Sequence, residues 1–168
     1  MRSKERRAVG ERKKMEIVGL GFYFEDLPLG RKYQTIGRTI TETDVMNYVN
    51  CLGLVEVLFT NQEFREHGSD IKGRIAPGML AHGFIEGLLI QATMQNTALA
   101  LINMEITMKS PVFVGDTIHA EVEVLEARVS KSRPGRGLVR SRVNIVKQDG
   151  TVAITYTPLR MVKCREAA

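Results

Sequence analysis

Apolar residues recur at every fourth position through Leu80, Phe84, Leu88 and Ala92, flanked by Ile85 and Leu89, and predict a helix from Pro77 to Asn96. Pro77 suits its first turn, where a missing N–H is no loss. Apolar residues cover much of the circumference, so outside a membrane this helix should be largely buried. Gly83 and Gly87 leave flat places on it for close backbone approach. Beyond the helix the period changes to two. Ile118, Ala120, Val122 and Val124 alternate with His119, Glu121 and Glu123 in a strand from Ile118 to Val129. Val139, Val143 and Ile145 alternate with Arg140, Arg142 and Asn144 across Leu138–Val146, imperfectly at Ser141. Leu99–Lys109 and Thr151–Lys163 read as two more strands, and the breaks carry hairpin chemistry: Gly115-Asp116, Pro134-Gly135 and Asp149-Gly150. Upstream, Gly21–Gly30 is an irregular lead-in and Tyr33–Ile40 a candidate strand. Thr41 and Asp44 have the spacing of a capping box, opening a helix that buries Val45 and Val49 and stops near Gly53. A second short helix is expected from Asn61 to Gly68. One buried helix followed by long antiparallel strands predicts an α+β fold, a curved antiparallel sheet wrapped around a long central helix.

At 168 residues with 43% hydrophobic content, the chain fits one domain with a sizeable core. The net charge of +5 suggests a polyanion partner until it is located. The first fourteen residues hold seven basic and two acidic side chains, so they carry the whole excess and the rest sums to zero. The expected division is a basic tail over residues 1–20 and a single domain over 21–168. A solvated arm is the simpler reading of that tail, so no nucleic-acid partner is expected. Cys51 and Cys164 make neither a disulfide framework nor a metal spacing, and no metal is expected. The longest apolar stretch, Met79–Ile90, is interrupted by His82 and Glu86, which argues against a membrane span. No apolar run follows the basic start, so a secretory signal is not expected and the anticipated compartment is the cytoplasm.

Four stretches then carry a resemblance: FEDLPLG (Phe24–Gly30), GRTITETD (Gly37–Asp44), IAPGML (Ile75–Leu80) and KSPVFVGDTI (Lys109–Ile118). With SRPGRGLV (Ser132–Val139) and QDG (Gln148–Gly150), they make the chain resemble the MaoC-like dehydratases. This hot-dog-fold family includes (R)-specific enoyl-CoA hydratases and mesaconyl-CoA hydratases. The resemblance implies a homodimer with sheets joined edge to edge, an acyl tunnel at the subunit interface, and an acyl-CoA thioester as substrate. Coenzyme A then arrives as part of the substrate, with no separate cofactor. The family places a catalytic Asp and His five residues apart after the first helix, with an Asn between. Counted from Asp44, this sequence has Leu54, Glu56 and Phe59 there, so both titratable members of the dyad are replaced. The family's thioester-polarising element is kept: Pro77, Gly78 and Met79 stand at the start of the central helix, with Gly78 matching the family glycine and Pro77 standing where the hydratases usually have His.

Individual residues divide between chemistry and architecture. Glu56 is a candidate displaced base, or an ordinary loop carboxylate facing water. His82, one turn into the central helix, is a candidate proton carrier, or a buried histidine donating to a carbonyl. Asn61 matches a polar position of the mesaconyl-CoA-type pattern, with helix capping as its simpler role. Arg133 and Arg136 could hold coenzyme A phosphates as two guanidinium forks on one loop, or mark a solvated hairpin tip. His67 reads as a helix C-terminal residue, His119 as solvent-exposed, Met79, Met94, Met104 and Met108 as core filler, and Gly115 and Asp116 as turn formers. Three functions stay open: reversible addition of water to an enoyl-CoA, acyl-CoA thioester hydrolysis, and acyl-CoA binding without turnover.

Overall fold

The computed structural model describes residues 15–165. The expected tail falls largely outside them; residues 15–20 form no helix or strand and are exposed, and packing begins at Gly21. There the chain crosses the far end of the central helix. Gly21 N–H donates to Gln95 O and Phe22 N–H to Thr93 O, both at 2.8 Å. A Cβ on Gly21 would lie 2.5 Å from the Thr93 carbonyl oxygen, so only glycine fits this close crossing. A turn of 3-10 helix follows at Phe24–Asp26.

The first strand is split. Tyr33–Ile40 was expected as one strand, but β1 spans Lys32–Gln34 and β2 Arg38–Thr39. Between them the Thr35 hydroxyl accepts from Ala120 N–H and takes over part of the ladder's bonding. Helix α1, Glu42–Leu52, starts on the expected box: Asp44 N–H donates to Thr41 Oγ1, and Thr41 N–H donates back to Asp44 Oδ2. It stops at Gly53, which has φ 67°. Val45 and Val49 are fully buried. A short helix α2 (Val57–Thr60) precedes a helical turn ending in a π-type segment, Phe64–Gly68. Asn61 opens that turn by accepting Phe64 N–H at 3.0 Å.

The central helix α3 covers Gly78–Leu89, and its end differs from the expectation. It passes into a π-type turn at Ile90–Met94, and Asn96 sits at φ 61°. Pro77 is the N-cap residue, not part of the first turn. The buried positions are Leu80, Ala81, Ile85 and Leu89, whereas Ala92 is exposed and Phe84 and Leu88 are only half-buried. Burial is therefore one-sided, since Met79, Gly83, Gly87 and Ile90 face outward.

Four long strands complete the fold: β3 (Ala98–Met108), β4 (Thr117–Val129), β5 (Arg136–Lys147) and β6 (Val152–Lys163). The order is β1-β4-β5-β6-β3, every neighbour antiparallel, with β2 also on β4. Ser141, the irregularity in the β5 pattern, is itself buried. The sheet curves around α3 in the hot-dog arrangement. Its core joins Ala81, Ile85 and Leu89 to Ile118, Ala120, Val143, Ile145 and Ile154. A second cluster of Leu27, Val124, Val139 and Val162 lies under the N-terminal crossing. There a Cβ on Gly137 would fall 2.0 Å from the Phe24 ring. Gly137→Ala should therefore lower the unfolding free energy by about 1–3 kcal/mol, the usual range for overpacking, read from urea midpoints. Among the described residues no helix is long and apolar enough to cross a membrane.

Candidate active site

The segment Lys109–Ile118 determines where α3 begins. Asp116, 8% exposed, folds it into a loop: Phe113 N–H donates to Asp116 Oδ2 at 2.8 Å, Lys147 Nζ lies 2.9 Å from the same oxygen, and Gln148 Nε2 donates to Oδ1. The neighbouring segment pairs with this loop, Val114 N–H donating to Arg74 O and Ala76 N–H to Val112 O. Pro77 follows at once in an extended conformation, and α3 starts at Gly78. Burial opposes ionisation of Asp116, yet Lys147, the Phe113 amide and Gln148 together hold its carboxyl below the usual range. The native state thus binds this proton less tightly than the unfolded chain does. Its stabilisation is complete above the unfolded value of 3.8 and disappears as pH falls through the lower folded value. Urea titrations from about pH 5 to pH 2.5 should show a shallower acid limb for Asp116→Asn than for the parent.

At the helix start, Leu80 N–H donates to Pro77 O, whereas the amides of Gly78 and Met79 find no acceptor among the described residues. They carry the positive end of the helix dipole. Beside them opens a cleft of about 350 Å³, bounded by Ile75, Gly78, Met108, Lys109 and Ile154. Met108 leans over Gly78, its Sδ 3.1 Å from where a Cβ would stand.

The segment at the family's dyad positions is architectural. Leu54 is 40% exposed, and Phe59 packs its ring against the main core. The Phe59 carbonyl accepts from Arg74 Nη1 at 2.6 Å, and Arg74 grips Glu42 through Nε and Nη2, both at 2.7 Å. Glu56 is exposed and accepts Leu58 N–H at 2.7 Å, capping α2. That is the ordinary alternative to a displaced base.

His82 is not the carbonyl donor of the second expectation. Its Nε2 is buried without a hydrogen-bond partner, so it donates to no carbonyl. The imidazole packs edge-on against the Tyr156 ring, centroids 4.8 Å apart. Burial pushes its pKa below the ordinary imidazole range; the Glu86 carboxylate opposes this and the Arg160 guanidinium adds to it. One turn on, Glu86 accepts the Tyr156 hydroxyl at 2.6 Å and both branches of a contact from Arg160 Nη2 at 2.7 and 2.6 Å. Sequence reasoning missed this pair. The signal was a lone carboxylate on an otherwise apolar helix, which requires a cation opposite it. Tyr156 lies two residues from Ile154 on β6, but none of His82, Glu86, Tyr156 and Arg160 is among the residues lining the cleft.

The two hairpin arginines are not brought to the site. Arg133 and Arg136 reach the Met161 sulfur at 4.0 and 3.8 Å. From Arg136 the strand β5 runs on to Ile145, the register partner of cleft residue Ile154. That extent of strand spans about 30 Å, too far for these guanidinium groups to serve the same subunit's cleft. His67 ends its helical turn 3.3 Å from Glu63. His119, expected in solvent, is 26% exposed. Among the described residues no group of three His, Cys, Asp or Glu side chains has metal-binding proximity.

Comparison with known proteins agrees with this geometry. The family model described as MaoC like domain matches residues 25–145. An (R)-specific enoyl-CoA hydratase from Rhodospirillum rubrum is 30% identical over 102 residues, covering 61% of this chain and 69% of the relative. The solved monoamine oxidase regulatory protein from Archaeoglobus superposes with a TM-score of 0.76 at 26% identity, covering 87% of this chain and 97% of that one. A Mycobacterium tuberculosis protein with a double hot-dog fold gives 0.77 at 21% identity, covering 89% of this chain and 46% of that one. With the family model spanning most of its length and the helix start intact beside its cleft, the chain belongs to the MaoC-like dehydratase family.

Proposed function

We propose that the protein binds an acyl-CoA thioester with its carbonyl oxygen at the free Gly78 and Met79 amides and reversibly adds water to an enoyl-CoA. The observation that carries this reading is the unpaired helix start facing an open cleft. Those amides and the helix dipole favour the enolate-like oxygen that develops as the nucleophile adds. His82 supplies the proton transfer that Leu54 and Phe59 cannot. Kept neutral by burial, its imidazole takes a proton from water as the water oxygen bonds to the β-carbon. The imidazolium then returns that proton to the α-carbon, giving the 3-hydroxyacyl thioester. Glu56, occupied in capping α2, is left out of this scheme.

A second reading, acyl-CoA binding without turnover, is favoured by the side chains at the dyad positions, since Leu54 and Phe59 can neither take nor give a proton and Phe59 is packed against the core. A panel of enoyl-CoA esters followed by loss of enoyl absorbance, with calorimetry and a free-thiol assay in parallel, separates them. Hydration without thiol release supports the proposal. Binding alone supports the second reading, thiol release would indicate a thioesterase, and neither binding nor turnover would overturn both the proposal and the second reading.

The active form is a homodimer built on β3. That strand is an edge of the sheet and exposes Leu99, Leu101, Ile102 and Met108, while the adjoining helix face exposes Met79 and Ile90. An unpaired apolar edge of this length invites a second strand. Leu101→Lys with Ile102→Lys should convert the dimer to monomer in sedimentation velocity; an unchanged sedimentation coefficient would place the interface elsewhere.

A further inference from the structure

We infer that Met108 determines which acyl groups the cleft accepts, favouring a chain unbranched at the α-carbon over one that carries a methyl group there. Met108 has this role only where Gly78 and Met79 seat a thioester carbonyl, so the inference rests on that reading. Met104, Ile106 and Met108 alternate onto one face of β3, and the first two pack against the main core. Met108 therefore faces α3, yet it is 50% exposed, because the strand carries it past the core to the wall of the cleft. Its register partner on β6 is Ile154, which is 1% exposed. The two side chains stand side by side on that wall, one fixed by packing and one open.

A Cβ on Gly78 would meet Met108 Sδ at 3.1 Å and Cε at 3.3 Å. In a helix the Cα–Cβ direction tilts towards the N-terminus, which is also where the first amides aim. The thioether thus overhangs the side of Gly78 on which a carbonyl oxygen would be held. An oxygen accepting from the Gly78 amide lies about 2.9 Å from its nitrogen, and that nitrogen is about 1.46 Å from the Gly78 Cα. The atoms bonded to the thioester carbonyl carbon are thereby brought into van der Waals reach of Met108. An unbranched α-carbon presents only hydrogens to Sδ and Cε, whereas a methyl group there competes for the space they fill. One carbon more or less in an apolar pocket discriminates by about 10–200-fold. Methionine is unbranched and adaptable, so the lower end of that range is expected here.

The test is isothermal calorimetry on the full chain with butyryl-CoA and isobutyryl-CoA, isomers that differ in branching at the α-carbon. Both are saturated, so their affinities do not depend on water addition. The parent should bind butyryl-CoA about tenfold more tightly, and Met108→Ala should bring the two within about twofold. Met108→Leu, which conserves volume, should keep the preference. Met108→Val, a second truncation that suits a strand, should shrink it in the same direction as alanine. A ratio of two affinities is not moved by a general loss of stability. Equal affinities in the parent, or an undiminished preference in both truncations, would overturn the inference while leaving the thioester seat in place. Failure of both esters to bind would remove the seat and the inference with it. The expected ratios without hydration of any enoyl-CoA would uphold the role of Met108 and count against water addition alone.

Discussion

Hydration of an enoyl-CoA by His82→Ala is expected to fall by about 10²–10⁴-fold in kcat/KM, the range associated with one positioned acid or base. Thioester affinity should change little, because the Gly78 and Met79 amides are untouched. Glu56→Gln should stay within about twofold of the parent, since a glutamine oxygen can still accept Leu58 N–H. The pH profile adds a sign that a structural histidine would not reproduce. Burial lowers the His82 pKa below 6.5, so the neutral base persists as pH falls through that value. The kcat/KM profile should remain flat there and decline only at lower pH. A parental profile falling around an ordinary imidazole value, or full activity in His82→Ala, would assign proton transfer to another group.

The largest loss of stability is expected from Arg160→Met. This variant leaves Glu86, 20% exposed, without its cation beneath the sheet. Breaking one side of a buried ion pair typically costs about 3–5 kcal/mol, because the surviving charge is left uncompensated. For a chain of this size the melting temperature should drop by about 10 °C. Glu86→Gln combined with Arg160→Met should recover much of the loss: the charge is gone, and a side-chain oxygen still accepts the Tyr156 hydroxyl. If the double variant is no more stable than Arg160→Met, the cost lies in lost packing by the arginine stem and not in charge.

Much of this molecule is legible in the chain because local rules agree with the fold. The Thr41–Asp44 box, the glycine stop at Gly53 and the alternation through Ile118–Val124 each have a single consistent reading, and the structure follows it. The inner face of α3 was harder. With apolar residues nearly all round, periodicity detects the helix but gives no phase, and the row Leu80–Phe84–Leu88 lost to Ala81–Ile85–Leu89. The break at Thr35–Gly37 depends on a hydroxyl meeting Ala120 N–H across the sheet, which no local pattern encodes. At the site, the helix start was legible from Pro77-Gly78. The roles of Glu56 and of the hairpin arginines were not, because they depend on a four-residue helix and on which end of the sheet a hairpin occupies. Glu86 was visible only as an interruption of an apolar stretch. Its partner Arg160 lies across the core, beyond any local signal.

The central claim is that two unpaired backbone amides polarise a thioester. It can be read directly from the carbon-13 resonance of an enoyl-CoA labelled at its carbonyl, recorded free and bound to His82→Ala so that no turnover intervenes. A downfield shift on binding, reduced when Gly78→Pro removes one of the two amides, is the predicted result. A bound ester with an unshifted carbonyl would contradict it.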